Sequence, residues 1–68
     1  MDDKDLRNRF TYHPPSGDQP EQYQGIRDAA YQLADLINRE APDGREKSLS
    51  ITHLEETVMW ANAAIARN

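Results

Sequence analysis

The chain is 68 residues long, carries a formal net charge of −4 and contains no cysteine, so it holds one domain at most, and disulfides and thiolate metal sites are excluded. An acidic chain is a poor non-specific binder of DNA or RNA polymers, whose phosphates call for a basic surface, and no apolar run approaches the roughly 20 residues a membrane helix needs. A chain this short rarely stands alone without a metal or a partner, and its two histidines, His13 and His53, have no neighbours at ligand spacing, which leaves oligomerisation.

Met1 to Arg9 is polar, with Lys4, Arg7 and Arg9 set among Asp2, Asp3 and Asp5. It reads as a frayed tail or a short opening helical turn. MDDKD has no signal-peptide character, and a soluble, cytoplasmic protein is expected.

In FTYHPP, Phe10 to Pro15, the aromatic residues Phe10 and Tyr12 alternate as in an extended segment. Pro14 and Pro15 stiffen it and push the residues before them away from helix. This predicts an extended arm over about residues 8–16. Either Phe10 pins the arm to the helices, or Tyr12 and His13 offer flat faces on which a ligand ring can stack, or both.

Ser16, Gly17 and Asp18 are turn formers. A helix over about residues 20–41 follows, with Pro20 near its first position and an Asp18–Glu21 capping box. Tyr23, Ile26, Ala30, Leu33 and Ile37 recur at alternating steps of three and four and define its seam. Gly25, inside the helix, costs about 1 kcal/mol relative to alanine and suggests close approach by a neighbouring helix or a ligand. Arg27 lies one turn beyond Tyr23, off the seam; such an arginine is usually just solvated.

Ala41, Pro42, Asp43 and Gly44 break the helix, and so short a connection dictates an antiparallel αα-hairpin. Asp43 and Glu46 suit a second capping box. Arg45 and Lys47, however, put cations where the helix dipole is positive. Either both point into solvent, or Arg45, Lys47, the Ser48 hydroxyl and free backbone N–H groups converge on a phosphate.

The second long helix, about residues 45–67, carries a stripe of Ile51, Leu54, Val58, Ala61 and Ile65, flanked by Met59, Trp60, Ala63 and Ala64. A helix that is apolar on more than one side requires more than one partner. No enzyme constellation emerges. Glu55 and Glu56 are adjacent and diverge, His53 reads as a packing or surface residue, and no nucleophile–base pair, metal cluster or cofactor motif is present.

Three blocks together, NRFTYHPP (Asn8 to Pro15), GIRDAAYQLA (Gly25 to Ala34) and REKSLSITHLEETVMWANAAIARN (Arg45 to Asn68), resemble the small phage-encoded anti-CBASS cyclic-oligonucleotide sponges. The same helical hairpin domain occurs in sponges that act against Thoeris defence. The resemblance implies a homo-oligomer, a hexamer in that family. It also implies pockets between protomers for cyclic dinucleotides such as cyclic GMP-AMP, and separate pockets for cyclic trinucleotides. Members sequester the messenger without cleaving it, in the cytoplasm of the infected bacterial host. On this chain the resemblance makes Tyr12 the stacking platform, with His13 and Pro14 beside it, and Arg27 the phosphate-contacting cation. Where relatives can have lysine, Arg27 offers a planar fork instead of a point charge. Arg45, Glu46, Lys47 and Ser48 become candidates for the second pocket. The expectation is therefore an all-α hairpin domain over residues 1–68, binding without catalysis and without a cofactor. The competing expectations are a non-catalytic helical adaptor for other proteins and a phosphodiesterase acting on the same ligands.

Overall fold

The computed structural model describes residues 1–68 and contains three helices and no strand: α1 (Asp3–Phe10), α2 (Gln19–Glu40) and α3 (Arg45–Arg67). The Asp2 carboxylate caps α1 by accepting from the backbone N–H groups of Lys4 (2.7 Å) and Asp5 (3.2 Å). Asp3 and Asp5 occupy its first turn, and Arg7 and Arg9 its last, the order that suits the helix dipole. This charge pattern carries helix through Asn8, Arg9 and Phe10, so the extended segment expected from residue 8 begins only at Thr11 (φ −98°, ψ 139°). Local capping outweighed the alternation of Phe10 and Tyr12.

Neither expected capping box forms. Asp18 precedes α2 without a side-chain cap, and α2 opens on Gln19 and Pro20. The residue capping α3 is Gly44, because the Asp43 carboxylate is held by Lys47 instead. Gly17 adopts φ 54°, a left-handed conformation that glycine reaches without strain, and so turns the chain into α2.

α2 and α3 pack antiparallel along their lengths, while α1 stands beside them with little contact. From α3 the seam takes Ile51, Leu54, Val58, Ala61 and Ile65, all half-buried. From α2 it takes Tyr23, Ile26, Ala30, Ala34 and Ile37. Leu33, expected on that seam, remains 47% exposed. Steps of four and then three fit 3.6 residues per turn as well as three and then four, and packing selects the small Ala34, which lets α3 come close. Gly25 is not approached by either neighbouring helix: a Cβ built there meets nothing within 4 Å.

The protomer is a single layer of helices. It measures 46 × 29 × 12 Å, its thinnest dimension being about one helix diameter. Its radius of gyration is 15.3 Å, against roughly 11 Å for a compact chain of this length. No residue is fully buried, and the accessible surface is 5689 Å². A compact monomer of this mass would expose about 4,400 Å². Phe10, Tyr12, Tyr31, Met59 and Trp60 are all more than 60% exposed. No helix is long and apolar enough to cross a membrane.

Candidate functional site

The arm begins where the last carbonyls of α1 lack helical partners. Thr11 donates its hydroxyl to the Arg7 carbonyl, and His13 donates from Nε2 to the Asn8 carbonyl at 2.7 Å, which puts the imidazole proton on Nε2. Both neighbours of Tyr12 are thus folded back onto α1. Tyr12 itself makes no side-chain hydrogen bond and is 80% exposed. The result is a phenol ring presented to solvent from a backbone tethered on both sides. Pro14 follows, also exposed. At its far end the arm is tied down by Gln19, whose Oε1 accepts from the Ser16 N–H (3.1 Å) and whose Nε2 donates to the Ile65 carbonyl on α3 (3.1 Å).

Arg27 is exposed on α2, about 12 Å along the axis from Gln19. Its only side-chain hydrogen bond is a long one from Nη1 to Gln24 Oε1, 3.3 Å, and no carboxylate lies within 4 Å of it. It stands at the rim of an open apolar groove along the hairpin. Ala30, Ala34, Ile51, Leu54 and Val58 form the half-buried floor of that groove, Tyr31 and Met59 rise at its edges, and Glu55 shares the rim. Tyr12 does not line this groove, so a pocket that uses both Tyr12 and Arg27 is not built there by one protomer.

At the other end of the hairpin, Lys47 and Ser48 line one shallow depression and Glu46 and Lys47 another, while Arg45 lines neither. The Lys47 side chain is only 13% exposed. Its ammonium turns back to the Asn38 carbonyl at the end of α2 (2.8 Å) and to Asp43 Oδ1 (2.9 Å). This contact satisfies a free α2 carbonyl, and the Lys47 hydrogen bond and charge hold the Asp43 carboxyl below its ordinary value. Arg45, Glu46 and Ser48 are exposed and their side chains make no hydrogen bond, which leaves Arg45 as the uncommitted cation of the turn. His53 is a surface residue, 3.8 Å from Glu56.

One feature carries no local signal in the sequence. Lys4, Asp5, Arg7 and His13 meet Arg67 and Asn68 in a polar cleft of mixed charge between α1 and the end of α3. Lys4 and Arg7 share a helix face at i, i+3, but their meeting with a residue some sixty positions on depends on where α1 comes to rest.

In comparisons with known proteins, the model of a family described as "Acb2/Tad1, hairpin domain" matches residues 1–66, nearly the whole chain. No curated protein and no solved structure matches it significantly.

Proposed function

Because the chain belongs to the Acb2/Tad1 hairpin-domain family, a family of cyclic-nucleotide sponges, we propose that it binds cyclic dinucleotides such as cyclic GMP-AMP and holds them uncleaved. In the cytoplasm of an infected bacterium this denies CBASS effectors their activator. The observation that carries the reading, beyond the family, is the Tyr12 ring: 80% exposed, without a role in the fold, and presented from an arm tethered on both sides. Such a ring stacks on a base, an interaction worth about 1–3 kcal/mol. Arg27, free of any carboxylate, supplies the phosphate contact and explains how a chain of net charge −4 holds an anion.

The binding form is a homo-oligomer, expected to be a hexamer. The single-layer protomer exposes about 1,300 Å² more than a compact monomer of its mass, more than the roughly 800 Å² each partner buries in a standard interface. Pockets shared between protomers bring Tyr12 of one together with Arg27 of another, so bound ligand stabilises the assembly. Cyclic trinucleotides bind at the turn that carries Arg45, Glu46, Lys47 and Ser48, in a pocket completed by another protomer. Arg45 is the contact there, since Lys47 is engaged at Asn38 and Asp43.

The test is retention. Protein in several-fold excess is mixed with cyclic GMP-AMP or a cyclic trinucleotide and passed through a membrane that holds back the oligomer. Depletion of free cyclic GMP-AMP from the filtrate is expected, near complete once binding sites equal ligand and half-complete at half that protein amount. Full recovery of both ligands in the filtrate would refute the sponge and favour a helical adaptor for other proteins.

A further inference from the structure

We propose that α1 of one protomer docks, through Leu6 and Phe10, into the α2–α3 groove of a second copy of the chain. The inference rests on the oligomer of the reading above and not on its ligand.

Two apolar surfaces are left without partners in the protomer, and they belong to different elements. One is the groove, whose half-buried floor and exposed Tyr31 and Met59 edges are not covered by any residue of α1. The other is one face of α1. Asp3, Leu6, Arg7 and Phe10 fall at i, i+3, i+4 and i+7 and line one shallow surface depression together. Phe10 is 82% exposed and Leu6 48%. A two-turn helix does not hold itself together in water, and it needs packing that its own hairpin scarcely gives it.

The charges at the two surfaces are complementary. The groove carries Arg27 and Glu55 at its rim, and the α1 face carries Asp3 and Arg7 beside its apolar pair. None of these four has an oppositely charged partner within 4 Å in the protomer. Docking pairs Arg7 with Glu55 and leaves Arg27 unpaired at the rim for the ligand, and the apolar centre sits inside a charged rim, as in ordinary protein interfaces. The surplus surface of the protomer is sufficient for such a contact.

Docking also explains why the ligand site needs assembly. Tyr12 lies two residues beyond Phe10, a span of at most about 7 Å. Seating Phe10 in the groove of a neighbour brings Tyr12 to the rim where that neighbour's Arg27 stands.

A charge exchange between copies tests this. Wild type, R7E, E55R and an equimolar mixture of the two variants are examined by sedimentation equilibrium and native mass spectrometry, with circular dichroism reporting helix content. Each variant alone sets like charges against each other, at residues 7 and 55, and should raise the concentration of half-assembly about tenfold or more. In the mixture every docked α1 meets an opposite charge, so hetero-oligomers of wild-type mass should return. F10A, which removes an exposed ring, should weaken assembly while retaining helix content. Variants that assemble like wild type, or a mixture that fails to recover while both remain helical, would overturn the docking and leave the ligand reading standing. A monomeric wild type with Phe10 protected in its own groove would overturn the docking and the oligomer together.

Discussion

Replacing Tyr12 with alanine separates a binding residue from a structural one. Tyr12 is 80% exposed and makes no side-chain hydrogen bond, so its loss should change the stability of the ligand-free protein by no more than about 0.5 kcal/mol. Stacking on one base contributes about 1–3 kcal/mol, which converts to a roughly 5- to 150-fold increase in Kd. A cyclic dinucleotide held by two tyrosines, one on each base, would lose up to twice that free energy. Isothermal titration with cyclic GMP-AMP measures the affinity, and thermal unfolding without ligand measures the fold. Tyr12→Phe keeps the ring and should bind within about threefold of wild type. An alanine variant that binds like wild type would refute the stacking role. One that melts many degrees lower without ligand would show that the ring is part of the fold.

Lys47→Met should destabilise the hairpin by about 1 kcal/mol through loss of the Asn38 contact, with the exposed Asp43 partner adding little, while leaving cyclic dinucleotide affinity unchanged; chemical denaturation and titration together check both halves. The Asp43 carboxyl is held below its ordinary value of 3.8, first by the Lys47 hydrogen bond and then by its charge. A lowered carboxyl contributes stability that is present above its unfolded value and is lost as pH falls through its folded value, so the wild-type melting temperature should fall below about pH 4 more steeply than that of Asp43→Asn. Gly25→Ala should stabilise the protein by about 0.5–1 kcal/mol, since a Cβ there meets nothing within 4 Å; a destabilised, dissociated variant would instead reveal a neighbour packed on that glycine.

The hairpin was legible because its signals are local and repeated. Two long apolar stripes at helical spacing, separated by Ala41, Pro42, Asp43 and Gly44, admit few other folds. The sequence is ambiguous where two local rules compete. Phe10 fits an alternating arm and also the last turn of a capped helix, and the Asp2 cap with ordered charges decided for helix. Leu33 and Ala34 both fit the α2 stripe, and only the approach of α3 favours the smaller one. Asp43 was a reasonable cap for α3 until Lys47 reached back over the end of α2 and claimed it. The same contact divides the 45–48 cluster, in which spacing alone gave Arg45 and Lys47 equal standing. At the arm, the residues alone marked Tyr12 and His13 both as flat groups, and only the family resemblance singled out Tyr12 as the stacking platform, with His13 beside it. The hydrogen bond from His13 to Asn8 assigns one to anchoring and leaves the other exposed. The groove between α2 and α3 and the cleft joining α1 to Arg67 were not legible, because they depend on which faces of the helices remain open after packing.

The central claim is sequestration without turnover, and the most direct measurement is recovery of the bound ligand. Cyclic GMP-AMP retained by the protein is released by heat and identified by chromatography against cyclic and linear standards. The account predicts that all of the retained ligand returns as the intact cyclic dinucleotide, however long it was held. Linear product that accumulates with incubation time would contradict it and make the protein a phosphodiesterase.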